Sequence, residues 1–275
     1  MDLTDTHCHI HEAQAATDPN NPTHQRWVKN GRDPDDMITA AHQAGVTCLI
    51  CVGTTLADSQ LAVDFVQQRH NTWASIGLHP HEAKDYAASA SALQQFAALV
   101  TRPKIVAVGE CGLDYYYNHS PKGDQEKILR FQIELALQHN LPLIFHVRDA
   151  FADFWPIFDS YPDIRGVIHS FSAGRNELEQ ILQRNLYLGL NGIMTFTKDP
   201  EQIAAAKAVP ANRLLLETDA PFLTPAPQRA TICEPKHARL TAEFLSQLRG
   251  ETLADLADYS TANARALFTF DKRLY

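Results

Sequence analysis

The feature that most constrains the fold is an alternation kept up from one end of the chain to the other. After an opening strand segment, Leu3–His9, short apolar, β-branched runs stand at Val46–Val52, Thr72–Leu78, Lys104–Val108, Leu143–Val147, Gly166–His169, Leu186–Leu190 and Arg213–Leu216. Between them the apolar residues take helical spacing: Leu61 with Phe65, Ile128 with Phe131 and Leu135 behind a cap at Asp124, Leu178 with Ile181 and Leu182, and Leu240 with Phe244 and Leu248 after Pro235. The strands are almost wholly apolar, as expected where both faces of a parallel sheet are buried. About eight such units in 275 residues predict a (β/α)8 TIM barrel with its active site at the C-terminal ends of the strands, a doubly wound open sheet being the alternative. No Gly/Ser-rich linker divides the chain, which predicts a single domain over 1–275. The polar, Pro- and Asn-containing stretch Asp18–Asp36, with Trp27 inside it, is expected to be a long loop after the first strand, on the active-site side.

A hydrophobic fraction of 45% with 20% charged residues supports a sizeable core and excludes a mainly disordered protein. The net charge, 24 − 32 = −8, argues against a protein that coats duplex DNA through a broad basic face. It leaves room for a nuclease whose metal ions supply positive charge locally. No apolar run is long enough for a membrane helix, and the first residues lack a signal sequence, so a cytoplasmic protein with no membrane contact is expected, with a monomer favoured. The five cysteines are then expected to be reduced. Cys48 and Cys51 form a C-x-x-C, but three residues apart on a strand they point to opposite faces and cannot share a metal.

The informative polar residues are those that fall where strands end: His7 and His9, His79, Glu110, His146, His169 and Asp219. In a parallel barrel these ends converge on one rim, and His7 and His9, two apart, share a face. A lone histidine at a strand end is more often a hydrogen-bonded, half-buried residue, and Glu110 or Asp219 alone would serve as helix caps. Together, imidazoles and carboxylates without thiolate suit Zn²⁺, Mn²⁺, Fe²⁺ or Co²⁺, and Mg²⁺ more weakly. The six ligands His7, His9, Glu110, His146, His169 and Asp219 exceed one tetrahedral ion, so two ions are expected, with Glu110 as the bridge. Cys8 and Cys111, next to ligand positions, face away from them.

The blocks Asp5–His9, Gly77–Pro80, Val108–Tyr116, Phe145–Arg148, Glu217–Leu223 and Asn263–Phe268 resemble, in this order, the TatD family of metal-dependent deoxyribonucleases. The resemblance implies a barrel with two divalent ions (Mg, Mn or Zn), one held by His7, His9, Glu110 and Asp219, the other by Glu110, His146 and His169. It also implies hydrolysis of phosphodiester bonds in DNA, often from the 3′ end, so single-stranded DNA is the expected partner. Two departures flank the expected substrate groove: the stretch Asp18–Asp36 is longer than usual, and Gln228–Pro235 lacks the family's Arg-x-x-Asn-x-Pro form.

The mechanism expected is attack by a metal-activated water, with Glu110 and Asp219 as catalytic residues and Asp219 either proton acceptor or ligand alone. Arg148 is a candidate phosphate contact, or an ion-pair partner of Asp149. His79 and Tyr115 are further candidate substrate contacts. Tyr116 and Trp27 would join Tyr115 in stacking on bases unless they merely pack. Asp5 and Glu217 are candidate acceptors orienting ligand histidines. The same ligand set would also serve an ester or amide hydrolase, such as a D-aminoacyl-tRNA deacylase. A metal-binding docking protein without turnover is the non-enzymatic alternative.

Overall fold

The structure, a computed structural model, describes residues 2–14 and 21–270. Eight strands, β1 (Leu3–Cys8), β2 (Val46–Val52), β3 (Thr72–Ile76), β4 (Ile105–Asp114), β5 (Leu143–Arg148), β6 (Gly166–Ile168), β7 (Tyr187–Leu190) and β8 (Leu214–Leu216), form one sheet in the order β1 to β8. The helices are α1 (Pro22–Lys29), α2 (Pro34–Gln43), α3 (Leu56–Val66), α4 (Ala83–Tyr86), α5 (Ala90–Leu99), α6 (Lys122–Gln138), α7 (Phe151–Phe158), α8 (Arg175–Gln183), α9 (Pro200–Ala208), α10 (Ala238–Arg249) and α11 (Leu253–Phe268). Strands pairing in chain order with helices between them make this a (β/α)8 barrel.

The chain separates into two compact units. In the first, residues up to Cys51 with Ser170–Ala266, β1 pairs in parallel with β2 and β7 with β8, and the Thr6 hydroxyl donates to the Leu216 carbonyl at 2.9 Å, tying β1 to β8. Its core is built from Leu3, Val46, Ile50, Leu188, Leu214 and Leu245, all fully buried. In the second, Val52–His169 with the segment from Leu267, β3, β4, β5 and β6 pair in parallel around Ile76, Val106, Val108, Ile144 and Phe145. Burying each such side chain contributes about 1.5–3 kcal/mol, and the unbroken apolar strands follow from burial on both faces.

Several boundaries differ from the sequence reading for physical reasons. The stretch expected as a loop carries helix α1 and the first turn of α2, while its start, 18–20, lies outside the described residues. Asn21 caps α1 by accepting the Thr23 and His24 amides at 2.8 and 3.0 Å, with Pro22 in the first turn. Asp33 caps α2 through the Asp35 and Asp36 amides, with Pro34 behind it. Asn-Pro and Asp-Pro are therefore helix starts here, not loop residues. Strand β4 runs six residues past Val108, to Asp114. Gly112 permits this: its φ of 153° suits glycine, and a Cβ there would run into the His146 carbonyl of the neighbouring strand. Helix α6 starts at Lys122 with Pro121 as its N-cap, so Asp124 lies in the first turn, where it favours the helix dipole. Helix α10 buries Ala238, Thr241, Ala242 and Leu245, a face offset from Leu240 and Phe244.

Candidate metal centre

In each unit the predicted ligands gather around one carboxylate. In the first unit the backbone past β8 runs alongside the end of β1. The Asp219 amide donates to the His7 carbonyl at 2.8 Å, and the His9 amide to the Ala220 carbonyl at 2.8 Å. Asp5, fully buried, locks this arrangement: one oxygen accepts the Thr218 amide at 2.9 Å and the His7 amide at 3.3 Å, the other the Thr218 hydroxyl at 2.6 Å. Asp219 takes a left-handed φ of 59°, which Asp tolerates better than most residues. Its Oδ1 then lies 3.7 Å from His7 Nε2 and 3.5 Å from His9 Nε2. Donors bonded to one divalent ion at about 2.0–2.2 Å lie roughly 3–3.5 Å from one another, so this spacing is close to that of shared ligands. The fully buried Trp27 donates its indole N–H to the His9 carbonyl at 3.1 Å.

In the second unit Glu110 Oε1 is ringed by three imidazole nitrogens: His146 Nδ1 at 2.8 Å, His169 Nε2 at 3.2 Å and His79 Nε2 at 3.3 Å. The Glu110 amide is held by the Gly53 carbonyl at 3.2 Å and the His169 amide by the Phe145 carbonyl at 3.0 Å. Gly77 lets β3 pass close by, since a Cβ there would strike the Glu110 backbone. The tautomers follow from the remaining bonds. His79 Nδ1 accepts the His81 amide at 3.1 Å, so its proton sits on Nε2 and is donated to Glu110. His146 Nε2 lies 3.0 Å from Asp114 Oδ2 and donates to it, which turns the Nδ1 lone pair toward Glu110. A lone pair and a carboxylate oxygen 2.8 Å apart need a positive centre between them, a proton or a shared cation. The residues therefore fit a divalent ion by donor chemistry as well as by proximity.

The electrostatics agree. Burial alone would raise the Glu110 carboxyl, but the imidazoles of His169, His79 and His146 hold it well below the usual carboxylate range. Burial pushes His79 down to about 4 against the pull of Glu110, so it is neutral near pH 7. Burial would lower His146 too, yet its bonds to Asp114 and Glu110 raise it. Asp114, against its own burial, is held low by His146, His81 and the Tyr117 amide.

Of the residues expected from sequence, His7, His9 and Asp219 come together in the first unit, and Glu110, His146 and His169 in the second, with His79 on the same Glu110 oxygen. Arg148 lies with its guanidinium 4.1 Å from the Tyr116 ring centre and 4.7 Å from that of Tyr117. Tyr115 is not part of the Glu110 cluster: Lys122 sits 3.7 Å over its ring, and burial, then Asp153, raises its hydroxyl pKa. Trp27 is a buried support rather than an exposed stacking surface. Glu217 accepts the Ser170 amide at 2.6 Å and the Asn191 side-chain amide at 3.1 Å. Cys8 and Cys111 donate to the Ile50 and Ile144 carbonyls, away from the ligands.

Asp114 and His81 were not picked out from the sequence. The buried Asp114 takes His146 Nε2 and His81 Nε2 on one oxygen, at 3.0 and 2.9 Å. The available signal was spacing: Glu110, Gly112 and Asp114 share one face, provided that the strand continues past Gly109.

The chain matches the family described as TatD related DNase over residues 4–269. It is 32% identical over 268 residues to the uncharacterized metal-dependent hydrolase YabD of Bacillus subtilis, covering 97% of this chain and 98% of that one. It is 34% identical over 246 residues to the 3′-5′ ssDNA/RNA exonuclease TatD of Escherichia coli, covering 86% and 93%. Among solved structures, YJJV, a TatD homologue from Escherichia coli, superposes with a TM-score of 0.84 at 25% identity over 97% of this chain and 98% of that one. The fold, the two carboxylate-centred histidine groups and these likenesses together make the chain a member of the TatD family, a divalent-metal-dependent hydrolase.

Proposed function

We propose that this protein is a 3′-5′ exonuclease on single-stranded DNA, acting as a monomer in the cytoplasm. In this reading residues 1–275 make one hydrolase barrel that uses two divalent ions (Mg²⁺, Mn²⁺ or Zn²⁺). The observation that carries it is the ring of three imidazole nitrogens on Glu110 Oε1, a buried carboxylate that they hold well below its usual range. The likeness to the Escherichia coli 3′-5′ ssDNA/RNA exonuclease TatD supports the choice of nucleic acid.

His7, His9, Asp219 and Glu110 would hold one ion, and Glu110, His146 and His169 the other. Bound there, the ions would neutralise phosphate charge and lower the pKa of a water. The protein's own groups do the rest. Asp219, 18% exposed at its side chain, accepts the water's proton at a carboxylate oxygen while Asp5 and Thr218 keep its backbone in place. His79 donates from Nε2 to Glu110 and keeps that carboxylate oriented. Asp114 fixes His146 as the Nε2–H tautomer, with Nδ1 as the donor atom.

The test is hydrolysis of a 3′-labelled single-stranded DNA with Mg²⁺, Mn²⁺ or Zn²⁺, with chelator, and with Glu110→Gln as control. The expected result is stepwise, metal-dependent loss from the 3′ end that the variant lacks. Absence of cleavage under every metal overturns the nuclease reading and shifts the substrate to an ester or amide such as an aminoacyl-tRNA.

A further inference from the structure

Tyr116 and Tyr117 are two of the three large hydrophobic side chains exposed among the described residues, at 59% and 51%. They sit in the turn after β4, side by side, with ring centres 4.9 Å apart and planes at 89°. Exposed aromatic rings on a loop ordinarily retain rotamer freedom, but this pair is braced. The Arg148 guanidinium lies over both rings. His119 stacks on Tyr117 with centres 5.6 Å apart and planes at 11°, and His81 meets Tyr117 edge-on at 5.5 Å. The Tyr117 amide donates to Asp114 Oδ1 at 2.8 Å, and the other oxygen of that carboxylate holds His146. Arg148 pairs with Asp114 across the β4–β5 register, and two residues from His146 it shares that ligand's face of the strand. The pair is thus tied, through one carboxylate, to the ligand group.

We propose that Tyr116 and Tyr117 form a stacking platform for an unpaired nucleobase of the substrate strand, with Arg148 bracing the rings and offering positive charge to the adjoining phosphates. The proposal rests on the nuclease reading above and specifies how that site selects single strands. An aromatic face has no hydrogen-bond code, so it takes any base, but only one whose face is not covered by stacking in a duplex. Arg148 meets the electrostatic need of a polyanion that the net charge of −8 does not meet by itself. The Arg148 guanidinium over both rings leaves the patch unsuited to a cationic ligand.

The experiment is steady-state cleavage of single-stranded DNA by wild type, Tyr116→Ala/Tyr117→Ala and Tyr116→Phe/Tyr117→Phe, on an intact oligonucleotide and on a series carrying one abasic residue at successive positions. The double alanine variant is expected to raise KM about tenfold with a smaller change in kcat, and the phenylalanine pair to restore it, since stacking needs the ring and not the hydroxyl. One abasic position is expected to impose the same penalty on wild type and none further on the alanine variant. Cleavage by wild type with the same KM in the alanine variant overturns the platform alone. Absence of cleavage by wild type overturns the nuclease reading and the platform with it. Both variants change exposed side chains, and circular dichroism of each confirms the fold before kinetics.

Discussion

Asp219 and Glu110 each stand at the centre of histidines, one in each compact unit, yet they are held by opposite means. Asp219 owes its place to the main chain: its amide is fixed to His7, its neighbour Thr218 is clamped by Asp5, and its carboxylate stands 3.5 and 3.7 Å from the imidazoles. The Glu110 amide is also tied, to the Gly53 carbonyl, but its carboxylate is held by side chains, with three imidazoles within 3.3 Å of one oxygen and a further carboxylate, Asp114, behind them. A group fixed through its backbone keeps its geometry when its carboxylate is neutralised. A group fixed through its neighbours takes them with it. Removing charge at the two carboxylates should therefore have different consequences, and the following substitutions probe that contrast.

Glu110→Gln is expected to lower metal-dependent hydrolysis by on the order of 10³-fold or more, since several kcal/mol of charge stabilisation are lost. In chelator it is also expected to lower the melting temperature, because His169, His79 and His146 lose the anion that they surround. Asp219→Asn is expected to cost on the order of 10²-fold in kcat as a lost proton acceptor, with the melting temperature in chelator unchanged, because its main-chain bonds survive. Equal melting shifts in the two variants would break the comparison.

A smaller effect is expected for Asp114→Asn. Losing the carboxylate charge and one of the two acceptor oxygens that serve His146, His81 and the Tyr117 amide should weaken metal binding by about 10–100-fold, read by titration of Mn²⁺ into stripped protein. Unchanged affinity would make Asp114 only a support for the Tyr117 turn. Smaller again is Trp27→Phe, which keeps the ring buried but removes the bond to the His9 carbonyl. About 1 kcal/mol of stability and less than tenfold in activity should be lost, by thermal melting and steady-state rates.

Away from both groups, His237 gives a pH dependence that neither carboxylate controls. It is buried, accepts the Glu234 amide at Nδ1 and donates from Nε2 to Gln228, and burial holds it at about 4 against an ordinary 6.5. The unfolded chain takes up this proton first, so stability present above pH 6.5 falls as the pH drops toward 4. Urea unfolding between these pH values should show that slope, and His237→Gln should flatten it.

The apolar strands were legible because burial on both faces leaves an unbroken run: Val46–Val52 is β2 to the residue. The ligand positions were legible for the complementary reason, as polar residues interrupting such runs where strands end. Past Gly109 glycines and acids replace the apolar residues of β4, so the strand's second half, and with it Asp114 and its partner His81, was not legible. Asn21-Pro22 and Asp33-Pro34 look like loop signals in sequence but cap helices, and Trp27 stayed open between stacking on bases and packing, because its polar neighbours hide the burial that tertiary packing supplies. The Arg148–Tyr116–Tyr117 brace depends on cross-strand register, which no spacing within one segment reveals.

The most direct test of the central claim, that Glu110 organises the metal centre, is the stoichiometry of Mn²⁺ bound by chelator-stripped wild type and Glu110→Gln under identical conditions. The account predicts two ions per chain for the wild type and loss of tight binding at both positions in the variant. Two tightly bound ions in Glu110→Gln would contradict it.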